Sequence, residues 1–225
     1  MTKDIEPIYN KILSSIVTLK MKPGERLREN EVSTKYKVSR TPIRDVFKKL
    51  ENDNLLEIRS KSGTFVTKID LKGITDIMFL RSSVEFQVLD AIKGTLTAEE
   101  IQALRANLAQ QAKLRETKKD STDDAFANSL FDLDNSFHEA IYAKDKKESV
   151  LQLLNSTYPA YQRFRFLTFF RDDNDLDALL ALHTKMLDVL EKPDNDGLRN
   201  IVYQHNFSGL NGINKVKDRH PEYFE

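Results

Sequence analysis

Apolar residues recur along this chain at helical spacing. Ile8, Ile12, Ile16 and Leu19 fall four, four and three apart, the pattern of one helix face. Pro23 and Gly24 in KPGERL break that pattern. RENEVSTKYKV reads as a short second helix and SRTPIRDVFKKLENDNLL as a third. Ser39 suits the N-cap of the third helix. Pro42 falls in its first turn, where a missing N–H is harmless. LLEIR and TFVTKI then read as strands around SKSG, whose Gly63 suits a tight turn. Helix, helix, helix, hairpin is the layout of a winged helix-turn-helix, expected over residues 1–69.

Beyond residue 70 the helical period takes over, with little glycine and almost no strand signal. Helices are expected over 71–93, 98–118, 122–143, 147–170, 175–191 and 195–215. Thr97 and Glu100 form a capping box for the second of these, and residues 194–196 suit the start of the last. The fold class is therefore mainly α: a winged helix-turn-helix followed by an all-helical bundle over 70–225.

Several apolar stripes carry polar residues. Ala127, Phe131, Asp134, His138 and Ile141 share one face, as do Leu176, Leu180, His183, Leu187 and Leu190. Leu198, Val202, His205 and Gly209 repeat the pattern. A single inward histidine is usually a core residue with one hydrogen bond. Three of them with an inward carboxylate are different, because a buried carboxylate without a partner is costly. A divalent cation satisfies all four, and Asp-x-x-x-His places two ligands on one helix face. The fourth histidine, His220, has no such placement and is expected to be exposed. Arg81 and Arg165 also lie on inward stripes, where a guanidinium needs an anion. That anion is either an internal carboxylate, for which Glu85 is placed one turn after Arg81, or the carboxylate of a ligand. Arg163 is a second choice beside Arg165.

Composition narrows the function. Forty per cent hydrophobic and 31% charged residues suit a chain with a real core. No apolar run is long enough to span a membrane, and the N-terminus has no apolar signal core. The absence of cysteine removes thiolate chemistry and fits a reducing cytoplasm. The net charge of zero hides an asymmetry: residues 1–70 hold 15 Lys and Arg against 10 Asp and Glu. A basic front end suggests nucleic acid. Arg40, Thr41 and Arg44 at the start of the third helix suit base edges and phosphates, and Arg59 and Lys61 lie on the wing.

The stretch PGERLRENEVSTKYKVSRTPIRDVFKKLENDNLLEIRSKSGTFV resembles the DNA-binding domain of the GntR family of bacterial regulators. The PGERL turn, VSRTPIRD and the closing GTFV carry the likeness. It implies DNA contacts at Ser39, Arg40, Thr41 and Arg44, and on the wing at Lys61, Ser62 and Gly63. Asn30 stands where some members carry a DNA-contacting arginine. DLDNSFHEAIY and the later histidines resemble the FCD effector domain of the FadR-type branch. That likeness implies Asp134, His138, His183 and His205 as ligands of a divalent metal such as Zn, Ni or Mn. It implies a small organic acid bound beside the metal, with Arg81 and Arg165 as its grips. A homodimer on a near-palindromic operator follows. Direct metal sensing is an alternative, as is a fatty acyl-CoA effector, against which the polar site argues. A metalloenzyme is a further rival, but no inward general base stands out beside the four ligands.

Overall fold

The third helix explains the front unit. In Arg40–Asn52 (α3), Ile43, Val46, Phe47 and Leu50 are all buried, and each contributes about 1.5–3 kcal/mol by leaving water. They pack against Tyr9, Ile12 and Ile16 of Glu6–Val17 (α1) and Val32 of Glu29–Tyr36 (α2). Ser39 occupies the N-cap position of α3 without a side-chain capping bond. The expected hairpin forms as Leu56–Arg59 (β2) and Gly63–Val66 (β3). Gly63 sits at φ +118°, a conformation closed to most side chains. One strand escaped the sequence pattern: Arg26–Leu27 (β1) pairs with β3, Arg26 opposite Phe65 and Leu27 opposite Thr64. Two residues are too few for an alternation to show. The sheet order is β1-β3-β2, all antiparallel.

The computed structural model describes residues 5–116, 124–171, 176–192 and 197–225. The helix start expected at 194–196 and the interval between the helices expected over 98–118 and 122–143 lie outside them. The back unit is helical: Leu71–Ile92 (α4), Ala98–Glu116 (α5), Asp124–Lys144 (α6), Glu148–Thr157 (α7), Ala160–Arg165 (α8), Leu176–Glu191 (α9), Leu198–Phe207 (α10) and Ile213–Arg219 (α11). Asp70 caps α4 by accepting from the Lys72 and Gly73 amides. The capping box ahead of α5 forms as expected. The Thr97 amide donates to Glu100 Oε2 at 2.7 Å, and the Glu100 amide donates to Thr97 Oγ1 at 3.2 Å.

Two expected helices are broken, each for a local reason. The span 147–170 splits because Pro159 lacks an amide hydrogen and disfavours helical geometry at Tyr158, which sits at φ −145° and ψ 76°. The chain resumes as α8 and continues into a π-helical turn, Phe166–Arg171. The span 195–215 splits after Phe207: a 3-10 turn follows at Ser208–Leu210, and the chain re-enters helix only past Gly212, whose φ of +67° interrupts helical geometry. Among the described residues no helix is long and apolar enough to cross a membrane.

The two units share packing. Ala160 of α8 joins the front core, and Val17 of α1 packs with Phe126, Phe166 and Phe169 of the bundle. The chain between them, residues 67–70, is held by the tail. The Ile69 amide donates to the Tyr223 carbonyl at 2.8 Å, and Ile69 forms a parallel bridge with Phe224.

Replacing Thr97 by Ala removes half of the capping box. It is expected to lower stability by about 1 kcal/mol, read as a lower urea midpoint with an unchanged slope.

Candidate nucleic-acid interface and buried polar centre

One face of the front unit is basic and open. Ser39, Arg40, Thr41 and Arg44 are exposed along the first turns of α3, and Asn30 is exposed beside them on α2. Asn30 Oδ1 accepts a long hydrogen bond from Arg40 Nη1 at 3.5 Å. Arg44 Nε donates to both oxygens of Glu29 at 2.9 Å, which orients the guanidinium and leaves its outer nitrogens for a further acceptor. Lys61 and Ser62 are exposed at the tip of the wing, with Lys61 at φ +61°. Arg59 lies over the Phe65 ring, 4.7 Å from its centre, and pairs with Glu57. Arg26 was missed with its strand. Its guanidinium lies so close to Gly63 that a β-carbon there would stand 2.8 Å from Nε.

The second site is inside the bundle. The apolar stripes bring Asp134 and His138 from α6, His183 from α9 and His205 from α10 to one point, all buried. His183 Nε2 and His205 Nε2 are 2.9 Å apart, and Asp134 Oδ1 is 3.6 Å from His183 Nε2. The three histidines offer nitrogens that lie within 4.8 Å of one another. Asp134 Oδ1 and His183 Nδ1 are buried with no hydrogen-bond partner among the described residues. The other Asp134 oxygen pairs with Arg165.

Glu85 has a different role from the one its position beside Arg81 suggested. It does not pair with Arg81. It is buried at the centre, where His138 Nδ1 lies 2.8 Å from Oε1, His205 Nδ1 lies 3.4 Å from Oε2, and Asn206 donates to Oε2 at 2.6 Å. An inward carboxylate beside the four predicted ligands was therefore missed. The spacing of four from inward Arg81 was the signal for it. The contact with Glu85 fixes the His138 tautomer: Nδ1 carries the proton and Nε2 is left with its lone pair.

The electrostatics suit a cation. Burial pushes His183 well below its ordinary range and the charge of His205 adds to this; burial also lowers His205. Neutral imidazole is the form that binds metal. Burial would raise the Asp134 carboxyl, but the charge of Arg165 and then of the histidines outweighs it and holds the group below its usual value. Burial likewise opposes ionisation of Glu85, and the charges of His138 and His205 hold it well below. Two buried carboxylates held low by neighbouring positive charge, three buried imidazoles and an unpartnered carboxylate oxygen are a donor set that fits a divalent metal.

The arginines divide. Arg81 is buried, lies over the Tyr161 ring at 4.8 Å and donates to Asn155 Oδ1 at 2.9 Å. Among the described residues no carboxylate pairs with it. Arg165 reaches Asp134, Gln162 Oε1 at 2.6 Å and Asn135 Oδ1 at 3.1 Å. Gln162 in turn donates to Asn155 Oδ1 at 2.7 Å. The chain Arg81–Asn155–Gln162–Arg165–Asp134 is thus continuous. Its two amides, and Asn135 beside Arg165, also line a cleft of about 730 Å3 between α1 and the bundle. Arg163, the second choice, points elsewhere and donates to the carbonyls of Thr67 and Lys68. His220 is half-buried rather than exposed, with its ring stacked on Tyr223 at 4.8 Å.

The family model described as bacterial regulatory proteins of the gntR family matches residues 5–66, and the FCD domain model matches residues 76–207. The chain is a GntR-family transcriptional regulator with an FCD domain. It is similar to the HTH-type transcriptional repressor RspR of Escherichia coli K12, 26% identical over 97% of this chain and 92% of that protein. It is also similar to the gluconate operon transcriptional repressor of Bacillus licheniformis, 24% identical over 90% and 81% of the two chains. Among solved structures, E. coli McbR/YncC shares the fold, with a TM-score of 0.70 at 16% identity over 98% of this chain and all of that one. A putative GntR regulator from Rhodococcus sp. RHA1 gives 0.66 at 16% identity over 99% and 98%. The similar proteins are regulators, and this GntR chain is a regulator rather than an enzyme.

Arg165→Met leaves the Asp134 carboxylate buried without its cation. In chelator-treated protein this is expected to cost about 3 kcal/mol, read from the urea midpoint; an unchanged midpoint would mean that the pair contributes nothing.

Proposed function

We propose that this GntR regulator reads operator DNA with residues 1–69 and senses a small organic acid, bound beside a divalent metal, with residues 70–225. One observation carries the reading: a buried, unpartnered carboxylate oxygen on Asp134 lies 3.6 Å from His183 Nε2, in a cluster of three buried histidines whose nitrogens lie within 4.8 Å of one another. Asp134, His138, His183 and His205 would hold the ion, with Glu85 orienting His138. Zn, Ni and Mn all suit three imidazoles and one carboxylate. Such an ion supplies open positions for an effector carboxylate. Arg81, a buried cation without a carboxylate partner among the described residues, is poised to grip a second oxygen pair. Arg165 holds Asp134 and lies at the other end of the same amide chain, so an effector that enters must rearrange Asn155 and Gln162.

At the other end, the N-terminus of α3 enters the major groove, with Ser39, Arg40, Thr41 and Arg44 at base edges and phosphates and Asn30 beside them. Lys61, Ser62 and Gly63 bring the wing to the backbone. A homodimer built on the helical domain sets two such readers on a near-palindromic operator. Two similar proteins are named as repressors, which favours repression relieved by effector. The site of action is the cytoplasm, where the DNA lies.

Elemental analysis of natively purified protein is expected to find about one metal per chain, and His138→Ala with His183→Ala to abolish it. Stoichiometric metal surviving the double change would refute the centre. Arg44→Ala is expected to weaken binding to an operator selected from genomic fragments by about 5- to 100-fold, the range for one bidentate base contact. Unchanged specific affinity would remove Arg44 from the interface.

A further inference from the structure

We infer that Arg163 is a positioning residue, through which helix α8 relays the state of the buried centre to the recognition helix. The inference rests on the proposed function only in taking that centre as the effector site. Three of the six residues of helix α8 carry the connection. Ala160 packs into the core of the front unit. Arg165 pairs with Asp134 at the centre. Between them Arg163, fully buried, donates from Nη1 to the Thr67 carbonyl at 2.7 Å and from Nη2 to the Lys68 carbonyl at 3.1 Å, with Thr67 Oγ1 at 3.4 Å. Residues two apart on a helix project about 200° from one another. Arg163 and Arg165 therefore leave α8 on opposite sides, one toward the linker and one toward the centre. A shift or rotation of α8 moves both.

Thr67 carries the connection onward. Its amide donates to the Leu55 carbonyl at 3.0 Å, and its hydroxyl donates to the Asn54 carbonyl at 2.8 Å. The Leu55 amide donates to the Leu50 carbonyl, inside α3, at 2.9 Å. So hydrogen bonds run from Asp134 to Arg165, and after α8 from Arg163 to Thr67 and the end of the recognition helix. On the far side Ile69 is fixed to Tyr223 and Phe224. Residues 67–69 and 223–225 lie outside both matched family ranges.

The choice of residue supports this. Burying a guanidinium with no carboxylate beside it is costly, and an apolar side chain of like volume would avoid the cost. Among the described residues Arg163 has no carboxylate partner, and burial lowers its pKa to about 10. What only arginine supplies is a rigid fork that reaches two successive carbonyls at once. The π-helical turn after α8 adds a second feature, since such turns are rare and frequently fall at functional sites.

Amide-resolved hydrogen exchange on the full chain tests the relay without an effector, using Arg165→Gln, Arg163→Met and the double variant. Arg165→Gln is expected to speed exchange at Leu55 and Thr67 by about tenfold. In the Arg163→Met background the same change should alter those rates by less than about twofold. Effects that multiply independently in the double variant, or no change at these amides in Arg165→Gln, would overturn the relay. Arg163→Lys keeps the cation without the fork. It replaces Arg163→Met if that variant does not fold, and coupling of wild-type size in it would also overturn the inference. Metal content measured on the same samples separates the two readings. Absence of metal from the wild type sinks the metal centre and leaves the relay standing, whereas failed coupling with metal present sinks the relay alone.

Discussion

Two carboxylates, Asp134 and Glu85, are taken out of water inside one helical bundle, and the bundle is arranged around satisfying them. Each such ion costs several kcal/mol in desolvation unless partners converge on it. The partners come from different helices: His138 from α6, His205 and Asn206 from α10, Arg165 from α8, with His183 of α9 against Asp134. Sliding α6, α8 or α10 by one turn would take Glu85 or Asp134 away from a partner. The polar centre thus fixes the register of a bundle whose leucine, valine and phenylalanine contacts would tolerate more than one.

The same requirement distributes the buried arginines. Arg165 compensates Asp134, Arg81 is held by an amide and a ring, and Arg163 is spent on backbone carbonyls. Only the first has an internal counter-ion among the described residues. Among the described residues three buried guanidiniums stand against two buried carboxylates, and neutral groups hold Arg81 and Arg163.

Much of this was legible in the sequence, and the misses share a cause. Periodicity placed Asp134, His138, His183 and His205 inward because each lies on an apolar stripe, and the structure brings them together. It also marked Arg81 and Arg165 as buried. It misassigned Glu85, since one helix face says that a residue points inward but not which neighbour it meets. Arg163 was unreadable for a related reason: its partners are main-chain carbonyls, which have no sequence signature. The broken helices were readable in principle from Pro159 and Gly212. Strand β1 was not, because two residues carry no period.

The pairing of Ile69 with Tyr223 and Phe224 has a consequence for the order of assembly. Domains fold largely as they leave the ribosome, N-terminal first. The front unit can therefore form most of its core, all but the contacts of Tyr158 and Ala160, while much of the chain is still unmade. Its connection to the rest gains its last hydrogen bonds only when the tail emerges and lies along Ile69. A nascent chain that has made residues 1–70 then lacks the bonds that hold Ile69 until Tyr223 and Phe224 are made.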